Sequence, residues 1–218
     1  MIRFENVSKH FRKGTEVIRA LDAVSIEVPQ GALALVRGPS GSGKTTVINL
    51  AAGLARPTAG RITIAGETLN DLPPRKRTAL RAQRVALVFQ MFHLVPYLNA
   101  LENVLLPTLA SPSDDPLDRA KRLLEDLGLS HRASHFPAEL SAGERQRCAV
   151  ARALFNRPSV ILADEPTGNL DAESAAHVLQ AFDVARADGA TVFLVSHQHL
   201  DAITPDKEFS LKNGVLQA

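Results

Sequence analysis

The chain has 218 residues, 45% of them hydrophobic and 22% charged, which suits one sizeable core with an inserted elaboration, is too short for two full domains, and excludes extensive disorder. Lys and Arg number 25 against 23 Asp and Glu, a formal charge of +2, so the balance gives no reason to expect nucleic acid or strong membrane adsorption. The single cysteine, Cys148, excludes an internal disulfide and reads as a small buried apolar residue, and His131 and His135 share a helical spacing without a third ligand for a metal.

The N-terminal MIRFENVSKH lacks the apolar core of a signal peptide, and no run approaches the ~18 apolar residues of a membrane helix, so any membrane role is expected to be peripheral. Residues Ile2 to Val7 and Val24 to Val28 alternate as strands do, whereas Ala32 to Val36 is a continuous apolar run, as expected for a strand buried on both faces. From Lys44 the residues Val47, Ile48, Leu50, Ala51 and Leu54 follow helical spacing. Further strands are predicted at Arg61 to Ala65, Val85 to Phe89, Val160 to Ala163 and Thr191 to Val195. Between Gln90 and Arg157 the pattern turns helical: Ser111 to Pro116 is a linker, and Leu117, Ala120, Leu123, Leu124 and Leu127 line one face. Another helix is predicted through Ala175, Val178, Leu179, Phe182 and Ala185, and Asn213-Gly214 reads as a closing hairpin.

The buried strand runs straight into Gly38, Pro39, Ser40, Gly41, Ser42, Gly43, Lys44, Thr45 and Thr46, a glycine-rich loop opening a helix. This is the G-x-x-x-x-G-K-[ST] pattern, in which successive backbone N–H groups curl around phosphate oxygens. Lys44 is predicted to hold the β- and γ-phosphates and Thr45 to offer its hydroxyl oxygen to Mg²⁺. Asp164 and Glu165 end another buried strand, where open α/β sheets place their ligands. Beside a phosphate loop, Asp164 suits a contact to Mg²⁺ and Glu165 suits a base for the attacking water, although two acids at a strand end are by themselves often a solvated turn. His197 is delivered the same way, at the carboxyl end of the strand in Val192-Phe-Leu-Val-Ser-His197; spacing alone leaves open whether it contacts phosphate or is structural.

Leu140-Ser-Ala-Gly-Glu-Arg-Gln-Arg147 resembles the LSGGQ signature of ABC ATPases, with Ala142 where glycine is usual. Ser141 and Glu144 also satisfy the pattern of a helix-capping box, and the two readings are compatible. The resemblance implies that Ser141 and Gly143 cap the γ-phosphate of an ATP held by a partner copy. It makes Gln90 the glutamine that contacts Mg²⁺ and relays its state to the helices, Gly168-Asn-Leu-Asp171 the loop that communicates across a dimer, and His197 the switch histidine, followed by Gln198 in place of the frequent aspartate. Phe11 stands where an aromatic stacks on adenine, with plain core as its other reading. The implied fold is an α/β P-loop NTPase of ABC type, with a RecA-like sheet core, an antiparallel β subdomain and an inserted helical subdomain. A single domain would span 1–218, with 1–90 and 158–218 as the nucleotide-binding core and 91–157 as the helical insertion.

The implied activity is ATP hydrolysis with ATP and Mg²⁺, in a homodimer formed on ATP binding and coupled to integral membrane permease subunits at the cytoplasmic face of the inner membrane. Met91 to Val104 and Ala163 to Asp171 most resemble the branch containing lipoprotein-releasing, macrolide-exporting and cell-division ATPases, and Phe92 to Tyr97 would receive the membrane subunit, with a buried loop as its other reading. A soluble ATPase of the same type acting on nucleic acid or ribosomes is the competing reading. Such forms usually carry coiled-coil or zinc-bearing insertions, or two cassettes, which this sequence lacks. A switch GTPase or small-molecule kinase would share only the phosphate loop.

Overall fold

The structure is a computed structural model that describes residues 1–112, 114–168, 170–197 and 203–217, with Lys13 described only in its backbone. Asn169 and Gln198 lie outside the described residues.

The chain opens with two long antiparallel strands, β1 (Ile2–Lys13) and β2 (Glu16–Val28), followed by β3 (Leu33–Arg37), α1 (Lys44–Ala51), β4 (Ala59–Ile64), β5 (Glu67–Thr68), α2 (Pro74–Arg84) and β6 (Val85–Val88). The helices α3 (Ala100–Leu105), α4 (Pro116–Asp126) and α5 (Ala142–Leu154) come next, then β7 (Val160–Asp164), α6 (Ala172–Ala187), β8 (Thr191–Ser196), β9 (Lys207–Lys212) and β10 (Val215–Gln217). Two sheets result. One is antiparallel in the order β2-β1-β4-β5; the other runs β10-β9-β3-β8-β7-β6, with β9, β3, β8, β7 and β6 parallel.

The central parallel strands β3, β7 and β8 are largely apolar because each face is covered by a different layer, whereas β9, toward the edge of the sheet, is mostly exposed. Leu33, Leu35, Ile161, Ala163, Val192 and Leu194 point into a cluster with Val104, Ala120, Leu124, Val150, Phe155 and Phe182 of the helices. Their neighbours Ala34, Val36, Val160, Leu162, Phe193 and Val195 point the other way, onto Val47, Ile48 and Ala51 of α1 and onto the antiparallel sheet. The period of two therefore survives as a choice of layer, although both sets of residues are buried. The helices between residues 91 and 157 share one continuous apolar core with one face of the sheet. Cys148 is buried there with its Sγ against the Ala100 carbonyl, and burial pushes its thiol up to about 12.

The structure extends the expected ribbon to Lys13 and back from Glu16, where β2 is exposed on both sides and shows no alternation. Helix α1 stops before Leu54, which is 51% exposed. Its end is closed by Gly53 N–H donating to the Leu50 carbonyl and Leu54 N–H to that of Asn49, the hydrogen-bond pair that terminates a helix after a left-handed residue. Helix α2 carries five basic residues and buries only Leu80, so it has no apolar stripe to announce it. The hairpin at Asn213-Gly214 forms with both residues in the left-handed region and Lys212 paired to Val215. No helix among the described residues is long and apolar enough to cross a membrane.

Candidate nucleotide site

In the order β3-β8-β7-β6 all four strands are parallel, so their carboxyl ends lie side by side. Each delivers one candidate group there: the glycine-rich loop after β3, His197 after β8, Glu165 after Asp164 at the end of β7, and Gln90 after β6. This is the edge at which open α/β sheets bind ligands.

The loop reaches α1 through Gly43, whose φ of 109° is left-handed and whose Cα lies so close to β2 that a Cβ would stand 2.5 Å from the Ala20 carbonyl oxygen. Only glycine fits there. The Lys44 ammonium folds back over the loop, donating to the carbonyls of Gly38 at 2.7 Å and Pro39 at 3.0 Å. A buried cation thus sits beside the backbone N–H groups at the start of α1, an arrangement complementary to phosphate. The Thr45 hydroxyl donates to Asp164 Oδ2 at 2.8 Å. Burial raises the Asp164 carboxyl above its ordinary value, reinforced by the Glu165 charge and opposed by the Thr45 hydrogen bond and by Lys44.

Glu165 is buried and adopts a φ of 49°, a conformation that non-glycine residues keep only where the surroundings enforce it. Here its N–H donates to the Val195 carbonyl at 3.0 Å, tying the turn to β8. Its Oε1 accepts from the His197 backbone N–H at 2.9 Å and contacts His197 Nδ1 at 2.7 Å. A carboxylate only accepts, so Nδ1 carries the proton and Nε2 is left for another partner. Oε2 is buried without a hydrogen-bond partner among the described residues. Among the described residues the pair therefore presents one carboxylate oxygen and one ring nitrogen without a partner.

These groups enclose a cavity of about 870 Å³, lined by Gly38, Pro39, Ser40, Gly41, Gly43, Lys44, Thr45, Thr46, Gln90, Asp164, Glu165 and His197. Ser42 is buried beneath the loop and does not line it. Ile18, Arg19 and Ala20 of β2 also line the cavity, and sequence reasoning missed them because that half of β2 carries no pattern. Phe11 is outside the lining but pairs across the ribbon with Ile18, is 45% exposed, and has Lys9 Nζ 4.9 Å from its ring centroid.

The signature residues are elsewhere. Ser141 caps α5, accepting from Glu144 N–H while its own N–H donates to the Glu144 carboxylate. Ala142 is half-exposed at the first helical position; the position with no room is Gly143, where a Cβ would stand 2.5 Å from Ser174 Oγ. Ser174 belongs to the first turn of α6, held by Asp171 and by Arg147, whose Nη1 donates to its hydroxyl at 2.7 Å. Neither Ser141 nor Gly143 lines the cavity of its own chain.

Burial pushes the Glu144 carboxyl up, but the Ser141 N–H, the Arg132 guanidinium and the Ser141 hydroxyl together outweigh it and hold the group at about 2, below its ordinary 4.5. A depressed carboxylate stabilises the fold above its unfolded value and loses that contribution as pH falls. Wild type should therefore lose more stability than Glu144→Gln between about pH 4.5 and about pH 2. Chemical unfolding at a series of pH values measures this; parallel curves would contradict it.

A parallel sheet with a phosphate loop, two acids at a neighbouring strand end and a histidine beside them defines a P-loop nucleoside triphosphatase. The chain belongs to the ABC transporter family, whose model matches residues 21–168, and it is an ABC-type ATPase. It is 40% identical to the lipoprotein-releasing system ATP-binding protein LolD of Shewanella frigidimarina, over 100% of this chain and 92% of that one. With LolD 1 of Rhodopirellula baltica it shares 42% over 99% of this chain and 96% of the relative. Among solved structures it resembles the dimeric post-hydrolysis state of the ATP-binding cassette MJ0796 bound to ADP and Pi. The TM-score is 0.93 at 36% identity, covering 100% of this chain and 97% of that one.

Proposed function

We propose that two copies of the chain close head to tail around two ATP molecules, at the cytoplasmic face of a membrane, and pass the closure to integral permease subunits. The observation that carries this reading is that Ser141 and Gly143 do not line their own chain's cavity, so a site capped by the signature requires a second copy. That the related MJ0796 cassette is dimeric with ADP and Pi, and that the LolD relatives belong to a lipoprotein-releasing system, supports the dimer and the membrane coupling.

In each site Lys44 and the loop N–H groups hold the phosphates, and Ser141 and Gly143 of the other copy cap the γ-phosphate. The free oxygen of Glu165 accepts a proton from the attacking water, while His197 Nε2 faces the γ-phosphate. The Thr45 hydroxyl, the Asp164 carboxylate and the Gln90 amide are hard oxygen donors suited to Mg²⁺, and the 2.8 Å Thr45–Asp164 contact already brings two of them together. When bound, the ion neutralises phosphate charge. Phe11, next to Ile18, offers a ring face for adenine.

The helical part, residues 91–157, moves on the core formed by 1–90 and 158–218, with the segment after Gln90 as the face toward the membrane subunit. Met91 and Tyr97 are exposed there, at 71% and 85%, which is the kind of surface that marks a contact site. Tagged chain taken from detergent-solubilised membranes should carry an integral membrane protein, and Tyr97→Glu should reduce that recovery severalfold at unchanged basal ATPase. Equal recovery with both chains would contradict the docking face.

A further inference from the structure

Gln146 lies on the same helix as Ser141 and Gly143, one turn further in, and is 1% exposed. Its Nε2 donates to the Pro166 carbonyl at 3.0 Å and reaches the Phe89 carbonyl at 3.4 Å. Phe89 precedes Gln90; Pro166 follows Glu165. One side-chain amide therefore joins the backbone of two groups in the cavity to the helix whose N-terminus carries the signature.

The orientation of that amide follows from its chemistry. With two carbonyl oxygens in front of it, only the NH2 end can face them, and Oε1 is then left buried with no partner among the described residues. A fully buried amide that satisfies only its donor end is unfavourable as a packing element.

Two other side chains of α5 hold the same loop: Arg152 donates to the carbonyls of His93 at 2.7 Å and Phe92 at 3.0 Å, and the Arg145 guanidinium lies 5.4 Å from the Phe92 ring centroid. Residues 89–93 are thereby fastened to α5. Gln146 differs from these arginines in also holding the turn after Glu165.

We infer that Gln146 is a positioning residue for hydrolysis, setting Gln90 and Glu165 together according to where the signature helix stands. When the N-terminus of α5 engages the partner's nucleotide, displacement of that helix reaches both groups through one amide. The water base and the Gln90 loop are then brought to working distance in the same movement. This extends the composite-site reading, and its failure is distinguishable because wild-type turnover and ATP-dependent dimerisation are measured alongside.

The test is steady-state ATPase of the full chain carrying Gln146→Met, which keeps length without a donor, and Gln146→Glu, which turns an oxygen toward the two carbonyls. Each should lower kcat at least about tenfold with KM within about twofold, since the amide acts on geometry and touches no nucleotide. Combined with Gln90→Ala, the loss should be no larger than that of the stronger single variant, the signature of two residues acting as one unit. Turnover within about twofold of wild type, a KM that rises as kcat falls, or losses that multiply in the double variant would overturn the inference. So would failure of both single variants to fold, which would make the amide a folding element.

Discussion

Glu165→Gln should slow hydrolysis by roughly 10² to 10⁴-fold while leaving ATP bound, the range lost when a general base is removed. The substitution separates the two oxygens of one carboxylate. The oxygen that receives the His197 N–H groups at 2.9 and 2.7 Å can be replaced by the amide carbonyl, so the histidine stays tethered. The amide NH2 then occupies the place of the oxygen that has no partner among the described residues, and it can donate but cannot take a proton from water. Single-turnover phosphate release, with bound nucleotide quantified in parallel, should show retained ATP and little product. Wild-type turnover in this variant would remove Glu165 from the mechanism.

Gly143→Ala should reduce turnover about 100-fold, with nucleotide affinity of the single chain changed by no more than a few-fold, because a misplacement of about 1 Å at a reacting site has that effect. The added Cβ would lie 2.5 Å from Ser174 Oγ, closer than real atoms approach, and a tight 3.1 Å from its Cβ, so the Ser174 hydroxyl must turn away or the first turns of α5 and α6 must move apart. Either shift takes the Ser174 hydroxyl from Arg147 and moves the signature relative to α6, whose Asp171 cap is internal to its own first turn and stays with it. The cavity lining is untouched, which is why binding should survive. Ser174→Gly in the same chain removes the obstructing atoms and should restore part of the turnover. Loss of nucleotide binding, or no rescue, would contradict this account.

The parts of the fold legible in the sequence are those in which burial imposes a pattern. Strands β3, β7 and β8 are apolar on both faces, and each leads into residues with a chemical reason to be there: the glycine-rich loop from Gly38, Asp164 with Glu165, and His197. Those residues meet in one cavity because the strands are neighbours. Elements whose side chains face water left no such trace. Helix α2 buries one residue, and the half of β2 carrying Ile18 and Arg19 is exposed on both sides, so its approach to the phosphate loop appears only when the ribbon folds back. The Gln146 contacts join positions 57 and 20 residues apart, and nothing local marks a glutamine inside a signature helix as the one that turns inward. Leu54 continued the helical period beyond the actual end of α1, where hydrogen bonds closing the helix overrode a spacing that apolar residues alone could not settle.

The shared site is tested most directly by the solution mass of the Glu165→Gln chain at saturating ATP, measured by sedimentation or light scattering. Closure of two copies around the nucleotide predicts twice the 23.5 kDa of one chain with ATP, and a return to the single-chain mass with ADP or after Gly143→Ala is added. A chain that binds ATP stoichiometrically yet stays at 23.5 kDa would contradict a site divided between two copies.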